Sequence, residues 1–283
     1  MKILNGAELK DFIKERQAKQ VRGLRQSWQV FPRLVIFYSN EDPVIETYMR
    51  LKISYAEDIL IEAEKRFVSP ENLAKEIQKA NLDETIHGII VQLPLKKSSG
   101  EKIEGEELRY ILSQISPEKD VDGLSGDIFI SATAQAINWL LVGYNIELQN
   151  KKIAIVGQGL LVGRPLSNMW RKSGYDVTVF DKNNSGEMKE RLSKFDIVVS
   201  ATGVPGLITS EMLKPNVVVV DAGTASENGI IKGDVAEEVR QNCKDVTITP
   251  KIGGVGPLTI ASLIDNVIIS ARKIANRKGQ QDL

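Results

Sequence analysis

The sequence predicts an α/β protein of two domains, an α/β domain followed by a doubly wound one, and three observations carry that prediction. The first is the stretch 152–165, KIAIVGQGLLVGRP. There a short apolar run (Ile153, Ala154, Ile155, Val156) meets glycines at 157, 159 and 163, the pattern of a buried parallel strand turning straight into a helix. The second is the alternation of short apolar strands with helical segments from there to residue 248. The third is size: 283 residues, 42% hydrophobic and 26% charged, suffice for two domains of ordinary dimensions.

Taken in order, Leu9, Phe12, Ile13, Val21 and Leu24 in a charged context predict an amphipathic helix over 9–24. RLVIFY at 33–38 is strand-like, SNEDP at 39–43 is a turn, and a helix is expected over 44–65. Ser69-Pro70-Glu71 opens another helix reaching about residue 80, and IHGIIVQ at 86–92 is a second buried strand stopped by Leu93-Pro94. The polar, glycine-interrupted 96–107 reads as a surface loop, 108–115 as a short helix and SPEKDVDG at 116–123 as a turn-rich connection. A helix over 134–144 then serves as a spacer. Strands follow at 153–156, 177–180, 197–200, 217–220 and 246–248, with helices at 161–172 and 185–192 and a short one after ATGVPG at 201–206. GGVGPLT at 253–259 precedes a last apolar helix over 260–274, expected to pack back on the first domain.

Composition excludes several classes of function. Thirty-seven basic residues balance thirty-seven acidic ones, so nothing in the total charge favours nucleic acid or an anionic membrane. The single cysteine, Cys243, allows no intramolecular disulfide and no CxxC metal site, and reads as a minor packing or surface thiol. With His87 as the only histidine, no metal site and no Ser-His-Asp triad is expected. There is no signal-peptide-like start and no run of 18 apolar residues, so a cytoplasmic location is expected.

The glycine turn carries the first chemical reading. Gly157 permits the tight turn, Gly159 lets a backbone approach a pyrophosphate, and the following helix presents free N–H groups to phosphates. The third glycine sits one place later than in GxGxxG, and the same pattern serves as an ordinary strand-to-helix turn. What favours a ligand is Asp181, at the end of the next strand and 22 residues beyond Gly159, where a carboxylate can bind ribose hydroxyls. A nicotinamide dinucleotide is therefore expected, NAD in preference to NADP, because the carboxylate repels a 2′-phosphate and no arginine precedes Arg164 in the turn. Lys182 remains able to neutralise such a phosphate.

Tyr48 and Lys52, four residues apart, share one face of their helix. They serve either as a half-buried ring and a solvated ammonium, or as a flat apolar surface beside an amine whose pKa burial lowers into the working range. Gln92 lies at a strand's carboxyl end, where ligands gather, or is simply a solvated amide there. Asp120 and Asp122 are turn formers, or one of them accepts paired N–H bonds from an amino-substituted heterocycle. Gly253, Gly254, Gly256 and Pro257 shape a loop, or let the backbone pass close to a flat substrate.

In this order YxxxK at 48–52, HGIIVQLPL at 87–95, PEKDVDG at 117–123, VGxxxxVGxP at 156–165 and GGVGPLT at 253–259 resemble the bifunctional methylenetetrahydrofolate dehydrogenase/methenyltetrahydrofolate cyclohydrolase (FolD) family. ATGVPG at 201, VVDAG ending at Gly223 and KGDV at 232–235 support the resemblance, which spans nearly the whole chain. It implies a cytoplasmic homodimeric enzyme of one-carbon metabolism that feeds purine biosynthesis, with a folate-binding catalytic domain over 1–122 completed by 259–283, and a Rossmann domain over 123–258. It implies oxidation of 5,10-methylenetetrahydrofolate to the methenyl cation, then hydrolysis to 10-formyltetrahydrofolate. Lys52 would transfer the proton in hydrolysis, Gln92 would hold and tune Lys52, Tyr48 would pack along the folate, and Asp122 would grip the pterin. Gly253, Gly254 and Pro257 would approach the substrate. The dinucleotide would meet Gly157, Gln158, Gly159, Val162, Gly163, Asp181, Lys182, Ala201, Thr202, Gly203 and Gly223.

The sequence also departs from the family pattern. The usual GRS is Gly157-Gln158-Gly159, and the usual HS strand end is Phe180-Asp181-Lys182; both changes remove groups that serve NADP. The segment between Gly123 and Thr133 is short, CTPxG reads Ala132-Thr133-Ala134-Gln135-Ala136, PVPGG reads Pro250-Lys251-Ile252-Gly253-Gly254, and the serine three places before Tyr48 is Ile45. Rival readings are a monofunctional NAD-dependent methylenetetrahydrofolate dehydrogenase, a shikimate-type dehydrogenase using a lysine, and a catalytically silent folate- or nucleotide-binding dimer.

Overall fold

The computed structural model describes residues 1–97, 99–124, 128–223, 225–227 and 230–277. In chain order the elements are β1 (Lys2–Ile3), α1 (Gly6–Ser27), β2 (Arg33–Tyr38), α2 (Pro43–Asp58), β3 (Glu62–Phe67), α3 (Pro70–Leu82), β4 (Gly88–Val91), α4 (Gly105–Ser113) and α5 (Ala132–Gly143). They continue with β5 (Lys152–Val156), α6 (Gly163–Lys172), β6 (Asp176–Phe180), α7 (Ser185–Arg191), β7 (Ile197–Ser200) and β8 (Val218–Asp221). The last are β9 (Ala225–Glu227), β10 (Ile230–Lys232), α8 (Glu237–Asn242), β11 (Thr247–Ile248) and α9 (Val255–Arg277).

The chain divides into two units. One comprises Met1–Asp11 and Thr133–Thr259, the other Phe12–Ala132 and Ile260–Leu283. The first holds a six-stranded sheet in the order β1-β11-β8-β7-β5-β6, with every neighbouring pair parallel. Its central strands are buried on both faces, which is why IAIV, IVVS and VVVD read as continuous apolar runs. On one side a core of Val156, Phe180, Leu192, Phe195, Val198, Ile208 and Val219 closes over the sheet, with Phe180 and Phe195 edge to face at 5.7 Å.

The second unit holds a three-stranded parallel sheet, β3-β2-β4. Here the expected helix over 44–65 is corrected. It ends at Asp58, the chain reverses through Leu60 at φ 68°, and β3 runs from Glu62. The sequence EAEKRF masks this strand because it lies at the sheet's edge, where charged side chains stay in solvent; Lys65 pairs with Glu46 and Arg33 with Glu64. Inside the unit the fully buried Gln17 is satisfied at both ends of its amide: it donates to the Ala261 carbonyl (2.8 Å) and to Asp265 (3.0 Å), and accepts from the Tyr55 hydroxyl (2.8 Å). Among the described residues no helix is long and apolar enough to cross a membrane.

Candidate active site

In the three-stranded unit, α2 starts sharply because the Asp42 side chain accepts the Val44 N–H at 2.8 Å and Pro43 occupies the first turn, a cap worth about 1 kcal/mol. The helix buries Ile45, Met49, Tyr55 and Ala56. Tyr48 and Lys52 flank that apolar face, both half-buried. Ile45, where the family pattern has serine, belongs to the core at 5% exposure.

Gln92 follows β4 and is fixed by its own N–H, which donates to the Phe37 carbonyl at 2.8 Å. Its side chain is oriented at both ends: Nε2 donates to the Leu93 carbonyl at 2.9 Å, which leaves Oε1 to accept from Lys52 Nζ at 2.9 Å. Asp122 reaches the same end of the sheet because 119–121 runs beside β4. Ile89 donates to the Lys119 carbonyl at 2.7 Å and bridges Asp120 in parallel, so the residues just beyond, Gln92 and Asp122, emerge together. Gly88 lets the segment approach, since a Cβ there would lie 3.0 Å from Val121. Gly123, at φ 69°, cannot be replaced, because an added Cβ would lie 2.7 Å from the Ile130 backbone.

The electrostatics set this group apart. Burial pushes the Lys52 amine below the ordinary lysine range, and the Asp122 carboxylate restores only part of the loss. Burial likewise raises the Asp122 carboxyl, with Lys52 opposing and Asp120 adding to the rise. Both groups are thus driven toward their neutral forms. Such an amine, held by an amide and facing a carboxyl, gives up its proton more readily than an ordinary lysine and can serve to take up and return one. Lys119, in the same motif, does something different. It donates to the Ala80, Asn81 and Asp83 carbonyls at 3.1, 2.8 and 2.7 Å and so caps the end of α3. Its contacts are structural.

In the six-stranded unit the residues singled out for a dinucleotide lie at the carboxyl ends of four parallel strands: Gly157 to Gly163 after β5, Asp181 and Lys182 after β6, Ala201 to Gly203 after β7 and Gly223 after β8. The strand order reverses between β5 and β7, the switch point at which such sheets bind ligands. There Gly157, at φ 102°, lies so close to the β7 loop that an added Cβ would stand 2.5 Å from the Ala201 carbonyl, and one on Gly163 would stand 2.0 Å from the Gly157 carbonyl. Protein packing therefore explains Gly157 and Gly163. It does not explain Gly159, where a Cβ would meet nothing within 4 Å; open space before a strand-to-helix turn fits a dinucleotide's close approach. Gln158 is exposed beside it, and Val162 is the N-cap of α6 but makes no side-chain capping bond; in the first turn the Arg164 N–H donates to the Gly159 carbonyl at 3.1 Å. Asp181 is half-buried, with one carboxylate oxygen accepting the Asn183 N–H at 2.8 Å, and Lys182 is exposed.

Gly253, Gly254 and Pro257 belong to this unit as well. The Gly253 carbonyl accepts the Ala7 N–H at 3.0 Å, and Gly6 packs on Gly254 so closely that a Cβ would lie 1.9 Å from its carbonyl oxygen. Pro257 stands in the first turn of α9.

Sequence reasoning missed a buried polar network beneath the loops. Asp221, its side chain 4% exposed, accepts from Arg240 (2.9 Å), the Asp234 N–H (2.9 Å) and the Val235 N–H (3.2 Å). Burial raises its carboxyl, and these donors oppose the rise. The only signals available were VVDAG and KGDV, which mark the positions but not their contacts. Among the described residues no group of three or more His, Cys, Asp or Glu side chains could hold a metal ion.

Comparisons with known proteins match the chain in two successive parts. A family model described as tetrahydrofolate dehydrogenase/cyclohydrolase, catalytic domain, matches residues 4–122, and its NAD(P)-binding counterpart matches 131–275. The chain is 37% identical to the bifunctional protein FolD of Aquifex aeolicus, over 96% of this chain and 95% of that one. The crystal structure of the bifunctional FolD methylenetetrahydrofolate dehydrogenase/cyclohydrolase of Campylobacter jejuni superposes with a TM-score of 0.86 at 31% identity, covering 96% of this chain and 99% of the other. The Trypanosoma brucei FolD, solved with NADP and an inhibitor, gives 0.85 at 26% identity, covering 99% and 98%. By its sequence along both domains, this chain belongs to the tetrahydrofolate dehydrogenase/cyclohydrolase (FolD) family.

Proposed function

We propose that the chain oxidises 5,10-methylenetetrahydrofolate with NAD and hydrolyses the methenyl product to 10-formyltetrahydrofolate, using Lys52 for proton transfer. The bond between the Lys52 amine and Gln92, beside Asp122, carries the assignment of Lys52. A nicotinamide dinucleotide held at the β5 turn would supply the hydride acceptor for the one-carbon bridge, a chemistry that needs mostly alignment of the two rings. Gly157 and Gly163 keep the turn tight, and Gly159 leaves its face open. In hydrolysis, water adds to the methenyl carbon and loses a proton to neutral Lys52. As the carbon–N5 bond breaks, Lys52 returns a proton to N5, and the carbinol proton leaves to solvent. Accepting from Lys52, Gln92 fixes the amine's lone-pair direction. Asp122 grips the amino-substituted pterin ring and Tyr48 packs along the folate; the backbone at Gly253 and Gly254, with Pro257, approaches the substrate.

NAD rather than NADP is argued from Asp181, whose carboxylate repels a 2′-phosphate, and from the lack of an arginine at Gln158. Gln158, Val162, Lys182, Ala201, Thr202, Gly203 and Gly223 complete the dinucleotide surface in this reading. Residues 1–122 with 259–283 are assigned to folate chemistry and 123–258 to the dinucleotide, in a cytoplasmic homodimer. The test is a spectrophotometric assay of methenyl formation from 5,10-methylenetetrahydrofolate with NAD and NADP in separate cuvettes. Higher kcat/KM with NAD is expected; preference for NADP overturns the role of Asp181, and no turnover with either overturns the enzymatic reading.

A further inference from the structure

We propose that Asp234 is the positioning residue of the dinucleotide site, clamping the loop after β7 against the glycine turn. Asp234 is 0% exposed. One carboxylate oxygen accepts both the Ser200 hydroxyl at 2.7 Å and the Thr202 N–H at 2.6 Å, so it grips the loop where it leaves β7. The same short segment holds the loop's other end through its backbone: the Asp234 carbonyl accepts the Ile208 N–H at 3.0 Å and the Gly233 carbonyl accepts the Gly206 N–H at 3.3 Å. Between these ties lie Ala201, Thr202 and Gly203, and the Ala201 carbonyl is the atom against which Gly157 is packed.

Asp234 is itself fixed in place. Its N–H donates to Asp221 Oδ1 at 2.9 Å, and its carboxyl sits against Gly223, where an added Cβ would lie 2.0 Å from Oδ1. That second oxygen has no hydrogen-bond partner among the described residues. A buried carboxylate with one unsatisfied oxygen is an expensive way to stabilise a fold, and its presence is accounted for by what it holds. Asp234 thereby links the ends of β7 and β8 and fixes the position of Thr202 in the loop packed beside Gly157.

This inference rests on the dinucleotide reading of the six-stranded unit, and the test separates the two. NAD and NADP dissociation constants, dehydrogenase constants and dinucleotide-free hydrolysis of methenyltetrahydrofolate are measured for the full chain and for Asp234→Ala, Asp234→Asn and Ser200→Ala. Asp234→Ala is expected to weaken dinucleotide binding about tenfold or more while hydrolysis stays within twofold, a split that general destabilisation would not give. Asp234→Asn, whose amide oxygen can accept both bonds, is expected to recover most of the affinity. If Asp234→Ala fails to fold, Ser200→Ala decides: a severalfold loss of dinucleotide affinity supports the clamp and an unchanged one overturns it. Folded Asp234→Ala with unchanged affinity also overturns it. Failure of the unsubstituted chain to bind either dinucleotide overturns the underlying reading and this one with it.

Discussion

The two units build their candidate sites from different materials. In the three-stranded unit the candidate parts are side chains: Lys52 and Asp122, whose proton affinities burial alters, and Gln92, which accepts from Lys52. In the six-stranded unit the working parts are stretches of backbone, shaped by Gly157 and Gly163 and braced from below by Asp234 and Asp221. The contrast teaches that proton transfer and dinucleotide binding fail in different ways. A site made of one amine is lost with that amine, whereas a site made of backbone is lost when its packing is disturbed.

The largest effect should come from Lys52→Met. Hydrolysis is expected to fall by about 10²–10⁴-fold while folate binding, followed by equilibrium titration, persists. Unchanged hydrolysis would break the comparison on the side-chain half. Gly163→Ala tests the backbone half. A Cβ 2.0 Å from the Gly157 carbonyl oxygen forces the turn apart at a cost of about 1–3 kcal/mol, so dinucleotide affinity should fall about tenfold, with hydrolysis losing much less. Equal losses of the two activities would mean that the turn matters only for folding.

The smallest and sharpest effect concerns sign. Hydrolysis by a neutral amine rises with pH through the depressed Lys52 pKa, because the unprotonated fraction grows. Asp122 opposes the depression, so Asp122→Asn should move that rising limb of the kcat profile to lower pH, even as the KM for folate increases. A limb that stays in place or moves upward would refute the coupling.

Legibility followed burial. β2 and β7 were readable residue by residue because RLVIFY and IVVS are long apolar runs, and β5 and β6 differed from expectation by one residue at the start. β3 was hidden by its charges and β1, two residues long, carries too little pattern to register, whereas β11 falls inside the strand expected at 246–248. α9 begins at Val255, inside what read as a loop, because Gly256 and Pro257 are tolerated in a first helical turn. Within the site, spacing put Tyr48 and Lys52 on one helix face without deciding their role, and the bond from Lys52 to Gln92, 40 residues later in the chain, is made only by the fold. Asp234 lies in KGDV, but its contacts could not be read. Its partners Ser200 and Thr202 lie more than 30 residues earlier in the chain, and the join is made by packing rather than by local pattern.

The parallel pairing of β1 with β11 joins Lys2 to Thr247 and Ile3 to Ile248, residues 245 apart. Gln17 likewise reaches Ala261 and Asp265, and Asn266 donates to the Val121 carbonyl at 2.9 Å. During synthesis, therefore, neither sheet has all its neighbours until nearly the whole chain has left the ribosome, and the nascent protein must carry unfinished apolar surface for most of its translation. The same interleaving denies the chain a clean cut: residues 133–259 expressed alone would keep β11 but lose the strand that covers its outer edge, trading a finished sheet for one open to self-association.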